Sequence, residues 1–277
     1  MTSQYKKNHY VPKTYLKRFT DPSRWNDKVC FINPLNIRDK SIRFNSIDEQ
    51  CQKKNLYTFP EEFKTEEKKA IEIAFMGHVD SIYSNAMSNS YDKGEDPSEG
   101  NLNSIIWFVI YQSFRTPKFK THHLDKVQEL SLKLGKSDSA LEEYTYWLGY
   151  LLVKASIDIF DNSILEILIA KKDNWFITSD NPAGYWLINL KNSQYVGTIL
   201  SFYDRTDLKI VCPIIPQIVF LLHLNYLKKS TIKNTTKKFN YFTRIIEKEE
   251  SELINRMIFT SCDKQIFSID KEQLKKI

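Results

Sequence analysis

The sequence lacks the short motifs that several common active sites require. Only seven of its 277 residues are glycine, and none belongs to a G-x-x-x-x-G-K segment, which argues against a P-loop nucleotide site. No G-x-S-x-G segment is present, so the nucleophile elbow of the usual serine hydrolases is missing. The four cysteines include no C-x-x-C pair, which argues against a zinc ribbon or a thioredoxin-type redox site.

Long apolar segments are missing as well. The longest runs, near residues 105–110 and 214–222, are well short of the ~20 residues that a membrane-spanning helix needs. Residues 1–7 are basic but no apolar segment follows them, so we expect no secretory signal. The sequence therefore predicts a cytoplasmic protein with reduced thiols and no membrane association.

Charge and composition point to a globular protein with a moderate excess of positive charge. Hydrophobic residues make up 42% of the chain and charged residues 27%, and the net charge is +6 at pH 7. The lysine pairs are spread along the chain, which is typical of a solvated surface and supports nucleic-acid binding only modestly. Nucleic acid and protein both remain candidate partners, and the oligomeric state is left open.

Apolar periodicity predicts a helical middle and a sheet-rich second part. Helical spacing covers residues 65–90, 101–115, 118–134 and 139–160, and residues 101–115 are apolar around most of the helix. Residues 29–34 and 40–44 are typical of a hairpin. Six β-like runs follow: residues 164–170, 175–178, 184–190, 199–203, 210–212 and 218–224.

The end of the chain predicts one more helix and one more strand. Residues 243–260 have helical spacing, and residues 265–269 alternate as a strand does. Pro213 and Pro216 indicate a turn before the last of the six runs. Because no repeat or linker divides the chain, we predict an α+β fold in a single domain, residues 1–277, with a helical layer (about 60–160) packed on a mostly antiparallel sheet (about 164–277).

The most informative segment is residues 8–19, NHYVPKTYLKRF, here called the opening motif. Tyr15, Leu16 and Phe19 repeat at helical spacing, which predicts a short helix docked on the core. Pro12 suits the first turn of that helix, where a missing N–H is no loss. His9 would then lie just outside the helix, with its ring free to face a cleft.

Two further segments add polar groups at the ends of apolar elements. Residues 175–182, WFITSDNP, predict a buried strand that ends in a polar turn with Ser179, Asp180 and Asn181; we call this segment the Ser-Asp-Asn-Pro motif. Residues 115–117, the Arg-Thr-Pro motif, end the apolar helix and place Arg115 at the edge of the core.

Together these three motifs resemble the bacterial family known as domain of unknown function 4238. The resemblance spans nearly the whole chain and includes residues 55–57, 212–213 and 255–268. Ala183 departs from the branched apolar residue expected after Pro182, and the polar positions are unaffected. The family defines no activity, so the resemblance indicates which residues matter and not what they do.

Each candidate residue has a catalytic and a structural interpretation. His9 could act as a general acid or base near neutral pH, or its ring could bind a backbone carbonyl and fix the N-terminal segment. Arg115 could clamp a phosphate, or hold a carboxylate such as Asp180. Asp180 and Asn181 could belong to a site, with Tyr10 and Ser179 as further ligand-binding residues, or could only cap a turn.

Two hydrolytic mechanisms follow from these residues. A metal-free ribonuclease would use His9 as base, Arg115 as anion clamp and Asp180 as orienting carboxylate. A metal-dependent nuclease would gather carboxylates and a lysine around a divalent ion, although their spacing is not diagnostic. The residues available for that set are Glu49, Glu72, Glu166, Asp180 and Lys191.

The sequence thus predicts a protein that acts on a phosphate-containing ligand, most simply nucleic acid, as a nuclease-like effector of a defence or toxin system. The alternative is a binding or regulatory module without enzymatic activity, in which the motif residues are structural.

Overall fold

The structure, a computed structural model, describes residues 7–24, 30–54, 56, 77–123, 125, 156–172, 174–188, 193–196, 207–224 and 239–276. The strands in these residues are β1 (Lys7–His9), β2 (Phe31–Asn36), β3 (Asn45–Ser46), β4 (Gln52–Lys54), β5 (Ser163–Ala170), β6 (Thr178–Ser179), β7 (Gly184–Ile188), β8 (Ser193–Val196), β9 (Leu208–Ile215), β10 (Ile218–Leu224), β11 (Tyr241–Ile246) and β12 (Gln265–Ser268). The α-helices are α1 (Lys13–Leu16), α2 (His78–Ser88), α3 (Glu99–Phe114), α4 (117–123), α5 (156–162), α6 (Lys248–Ser261) and α7 (Lys271–Lys275).

The strands form one large sheet and two smaller ones. The six-stranded sheet has the order β11-β5-β10-β9-β7-β8, and every neighbouring pair is antiparallel except β11 with β5. A four-stranded sheet has the order β3-β2-β12-β6, and β1 pairs with β4. The prediction of an α+β fold with mostly antiparallel pairing is confirmed.

The central strands of the large sheet, β5, β10, β9 and β7, are buried on both faces. On one face, Leu165 and Ile167 pack in the same cluster as Ile105 and Val109 of α3. On the other face, Leu168 and Val211 lie in a second cluster with Ile254, Met257 and Ile258 of α6. Because alternate residues of a strand point to opposite faces, a strand covered on both sides is apolar throughout, as β5 and β10 largely are.

The helix predicted over residues 101–115 is confirmed as the central buried helix, α3. Ser98 caps its first turn by accepting a hydrogen bond from the backbone N–H of Asn101. Tyr83 of α2 stacks on Phe108 with ring centroids 3.8 Å apart, which joins the two helices inside the core. The side chains of Ile105, Phe108 and Val109 are fully buried.

Three sequence predictions need correction. The helix predicted from residue 243 begins at Lys248, because Tyr241–Ile246 form strand β11. The single predicted sheet is two sheets, since Thr178–Ser179 pair with β12 and not with the large sheet. Strand β9 continues to Ile215, past the predicted end at residue 212, and its Pro213 lies opposite Val219, where a register shift accommodates a residue without an N–H. The turn predicted from Pro213 and Pro216 is confirmed at residues 216–217.

Some predicted elements lie outside the described residues. These are residues 65–76 of the first long helix, most of residues 118–134 and 139–160, and the strand at 199–203. All four cysteines are free thiols. Of the helices that the structure describes, none is long and apolar enough to cross a membrane.

Candidate functional site

The opening motif enters the core immediately after a short strand. His9 of β1 pairs with Gln52 of β4, and the N–H of Tyr10 donates to the carbonyl of Cys51 at 2.9 Å. Pro12 is extended (φ −62°, ψ 142°) and precedes α1, whose first residue is Lys13. The docked helix predicted from Tyr15, Leu16 and Phe19 is confirmed, since all three side chains are fully buried.

His9 is half-buried and its ring contacts backbone. Its Nε2 lies 3.2 Å from the carbonyl oxygen of Asp48, to which it donates. Burial is the main cause that lowers the pKa of His9, and the nearby cations Lys13 and Arg115 lower it further. The imidazole is therefore neutral near pH 7 and holds the strand end against the turn at Asp48.

Arg115 is a buried guanidinium that holds a carboxylate. It is 3% exposed, and its two terminal nitrogens donate to the carboxylate oxygens of Asp80 at 2.6 and 3.2 Å. One of them also donates to the carbonyl of His9 at 3.0 Å. The carboxylate of this ion pair thus belongs to Asp80 of α2, and the same guanidinium joins the Arg-Thr-Pro motif to the opening motif.

Thr116 caps the helix that follows and binds the third motif. Its hydroxyl donates to Oδ1 of Asn181 at 2.6 Å and accepts from the N–H of Phe119 at 3.3 Å. Pro117 is then the first residue of α4, a position that suits proline. The side-chain amide of Asn181 also donates to the carbonyl of Ser261, the last residue of α6, at 2.8 Å.

Asp180 is a buried carboxylate held by backbone amides. It is 1% exposed, and its oxygens accept from the N–H groups of Asp263, Lys264 and Gln265 at 2.9, 2.8 and 3.2 Å. Burial raises its pKa to about 6, although these three donors favour the charged form. Ser179 accepts from the N–H of Asn181 at 3.1 Å, which closes the turn.

A third link joins the opening motif to the strand before this turn. The hydroxyls of Tyr15 and Thr178 are 2.6 Å apart, and Tyr15 donates to the carbonyl of Pro213 at 2.7 Å. All three motifs are therefore bonded to one another through buried polar groups. We call this set the motif framework: His9, Tyr15, Arg115, Thr116, Thr178, Asp180 and Asn181.

An open pocket of about 440 Å³ lies beside the motif framework. Tyr10 of the opening motif and strand β4 form one side, the start of α4 after Thr116 forms the second, and the turn held by Asp180 forms the third. We call it the basic pocket. Its lining residues are Tyr10, Gln52, Lys53, Pro117, Lys118, Thr121, His122, Asp263 and Lys264.

Three lysines and one aspartate give this pocket its charge. Lys53 and Lys264 are exposed, whereas Lys118 is half-buried. Nζ of Lys118 donates to the carbonyl of Cys262 at 2.7 Å and lies 4.6 Å from the centre of the Tyr195 ring. Burial lowers the pKa of Lys118, so the ammonium depends on these contacts and on nearby negative charge.

The structure separates the predicted site residues into two groups. Tyr10 lines the basic pocket. The predicted catalytic residues His9, Arg115 and Asp180 do not line it, and each has its own partners: the Asp48 carbonyl, the Asp80 carboxylate and the 263–265 amides. Ser179 and Asn181 are buried in the turn.

Sequence reasoning missed the lysines of the pocket. Lys118 had a usable signal, because Thr116-Pro117 is a typical N-cap and first helical residue and so places Lys118 in the first turn of a helix. Lys53 and Lys264 had none, since only the folded chain brings residues 53, 118 and 264 to one cavity.

The predicted carboxylate set for a divalent ion is not assembled in the part of the chain that the structure describes. There, no three His, Cys, Asp or Glu side chains are placed to hold one ion. Glu166 instead accepts hydrogen bonds from His223 at 2.8 Å and from Arg244 at 2.5 Å. Glu72 and Lys191 lie outside the described residues.

The fold and the site define an α+β protein with a basic pocket built on three hydrogen-bonded motifs. The chain belongs to the family described as protein of unknown function (DUF4238), which matches residues 7–272. The resemblance seen in the three motifs is thereby confirmed. No curated protein and no solved structure matches the chain.

Proposed function

We propose that this protein binds a phosphate-containing ligand, a nucleic acid, in the basic pocket, and that the motif framework holds the pocket in shape. The observation that carries the proposal is one cavity lined by Lys53, Lys118 and Lys264. Two of the motifs contribute lining residues to it, and the third holds the turn at 263–264 through Asp180. Such lysines neutralise phosphate groups, and phosphate contacts supply most of the affinity of proteins for nucleic acid.

The geometry favours binding over hydrolysis by His9, Arg115 and Asp180. The guanidinium of Arg115 is buried and engaged by a carboxylate, whereas an anion clamp must reach the ligand. The carboxylate of Asp180 is buried against three amides and cannot orient an imidazole while it holds them. We therefore assign these residues to the motif framework. We also propose that the protein is cytoplasmic, so that its four thiols stay reduced.

Removing a pocket lysine is expected to weaken nucleic-acid binding. For Lys118→Gln and for Lys264→Gln we expect the dissociation constant for a single-stranded RNA or DNA of about 20 nucleotides to rise roughly 3- to 10-fold, because each change removes about one phosphate contact. The measurement is fluorescence anisotropy of the labelled strand at low salt, with inorganic phosphate as competitor and with and without magnesium.

Lys93→Gln is the matched control, because Lys93 is exposed in the turn after α2 and does not line the basic pocket. The slope of log affinity against log salt should fall by about one in each pocket variant and stay unchanged in the control. If folded wild-type protein binds neither strand, or if all three variants lose affinity equally, the basic pocket is not the binding site. If the labelled strand becomes shorter during the assay, the protein cleaves the nucleic acid as well as binding it.

A further inference from the structure

One edge of the large sheet is formed by a strand that has a neighbour on only one side. In the part of the chain that the structure describes, β11 lies at the end of the strand order and pairs with β5 alone. The register with β5 is regular over all six residues of β11. Residues 241–245 are all exposed. We call the outer side of residues 241–246 the β11 edge.

The backbone of the β11 edge offers hydrogen-bonding groups at every second residue. The carbonyl of Asn240 accepts from the N–H of Leu165 in β5 at 3.0 Å. Because backbone groups alternate between the two sides of a strand, the even-numbered residues of β11 face β5, and residues 241, 243 and 245 face outward. Among the described residues these outward groups have no hydrogen-bond partner. Such a row of groups is a template for another strand.

The side chains of the β11 edge favour pairing. Natural proteins usually protect an edge strand with lysine, proline or a bulge, and β11 contains neither lysine nor proline. Three of its large apolar side chains are exposed: Tyr241 at 52%, Phe242 at 46% and Ile245 at 66%. Strand β8, at the opposite end of the sheet, is only four residues long and begins with the polar residues Ser193 and Gln194.

The one charged side chain of β11 is neutralised within its own chain. Arg244 donates to the carboxylate of Glu166 in β5 at 2.5 Å and to that of Glu250 in α6 at 2.7 Å. Two copies of the β11 edge can therefore meet without strong repulsion between their guanidinium groups.

We infer that the β11 edge pairs with the same edge of a second copy of this chain, as antiparallel strands related by a two-fold axis at Thr243. Such an axis is perpendicular to the sheet, so each face of the sheet continues across the pair. With Thr243 opposite its own copy, Tyr241 lies opposite Ile245 of the second copy, and Phe242 lies opposite Arg244 of the second copy. The first is an aromatic pair with a β-branched residue, and the second is a cation–π pair.

The chemistry of β11 selects this register. The outward groups of residues 241, 243 and 245 then meet their counterparts in hydrogen-bonded pairs, with roughly six hydrogen bonds in all. A two-fold axis at Arg244 would place the two guanidinium groups directly opposite each other, which is unfavourable. An axis at Phe242 would place Ile245 beyond the end of the other strand. Only the axis at Thr243 gives every exposed apolar residue of β11 a partner.

Sedimentation equilibrium of the full chain, at about 2 to 200 µM, measures this dimer. The wild type should shift from the 32.7 kDa monomer towards twice that mass, with a micromolar dissociation constant because one strand pair buries less than a standard interface. Ile245→Lys puts a charge into both apolar pairs, and the dissociation constant should rise roughly 10- to 30-fold. Thr243→Pro removes an outward N–H but no bond to β5, and should weaken the dimer to a similar extent.

Phe259→Lys is the matched control. Phe259 is also an exposed apolar residue of α6, but it follows Glu250 by nine residues, about two and a half turns, and so lies on the side of the helix away from β11. Its dissociation constant should equal that of the wild type. Circular dichroism shows that each variant is folded, and if one edge variant is not, the other carries the test.

Cross-linking with a short bismaleimide tests the register. The Cα atoms of a hydrogen-bonded antiparallel pair are about 5.5 Å apart, so Thr243→Cys should give a covalent dimer. The wild type, with its own four thiols, and the exposed variant Lys93→Cys should not.

The outcomes separate this dimer from its alternatives. A wild type that stays monomeric at all these concentrations overturns the inference. So does a dimer that Ile245→Lys and Thr243→Pro leave as tight as Phe259→Lys does, because it then forms through another surface. A dimer in which Thr243→Cys gives no more covalent product than Lys93→Cys overturns the two-fold pairing at Thr243. None of these results depends on whether the basic pocket binds nucleic acid.

Discussion

Asp80→Ala is expected to lower the free energy of unfolding by about 3 kcal/mol, because it removes the carboxylate that neutralises a buried guanidinium. The side chain of Arg115 is 2% exposed and that of Asp80 27% exposed, so the charge left behind cannot be well solvated. The same guanidinium holds the carbonyl of His9, and the opening motif should loosen with it. Urea-induced unfolding followed by tryptophan fluorescence measures the change.

Two further variants separate this effect from a general loss of charge. Lys171→Ala breaks an exposed ion pair with Glu247 and should cost less than about 1 kcal/mol. The double variant Asp80→Ala/Arg115→Met removes both charges and should recover part of the lost stability. If Asp80→Ala behaves like Lys171→Ala, the ion pair does not stabilise the fold.

Asp180→Ala should lower the free energy of unfolding by about 3 kcal/mol at pH 5, because three buried amides lose their acceptor at about 1 kcal/mol each. The exposed residue Asp96 provides the control variant Asp96→Ala, with a change within about 0.5 kcal/mol. Urea unfolding of the two variants beside the wild type gives the comparison. Equal stability of Asp180→Ala and wild type would show that the carboxylate does not fix the 263–265 turn.

The loss caused by Asp180→Ala should depend on pH. The pKa of Asp180 is raised in the folded protein from 3.8 to about 6, so the group stabilises the fold most below pH 4 and loses this contribution as the pH rises through 6. The difference between wild type and Asp180→Ala should therefore shrink by about 1 to 2 kcal/mol between pH 5 and pH 7.5. If the difference in the free energy of unfolding grows with pH instead, the three amide hydrogen bonds lower the pKa of Asp180 by more than burial raises it.

The fold was predictable where the apolar pattern is strong and local. The central helix and the strands at residues 164–170 and 218–224 follow from apolar spacing and length, and the structure has α3, β5 and β10 there. Strand β11 was missed because the apolar spacing of α6 extends backwards through Ile246. What makes Tyr241–Ile246 a strand is its parallel pairing with β5, more than 70 residues earlier, which no local pattern contains.

The site was predictable as a set of polar residues but not as a set of contacts. Arg115, at the end of an apolar helix, is expected either to clamp a phosphate or to hold a carboxylate such as Asp180, and its actual partner, Asp80, carries no signal in the sequence. Asp180 is expected either in a site or in a turn, and in the structure its carboxylate holds a different turn, which begins 83 residues later in the chain. Long-range partners are fixed by packing, so sequence reasoning finds the motif framework and misses the basic pocket beside it.

The central claim is that the basic pocket on the motif framework is where a phosphate-containing ligand binds, and amide chemical-shift mapping tests it most directly. Titration of isotope-labelled protein with an unlabelled 12-nucleotide oligouridylate should shift the amide signals of residues 52–53, 118–122 and 263–265 most strongly. The amides of α7 and of the turn at 91–94 should stay unchanged. Shifts centred on another surface, or no shifts at saturating ligand, would contradict the account.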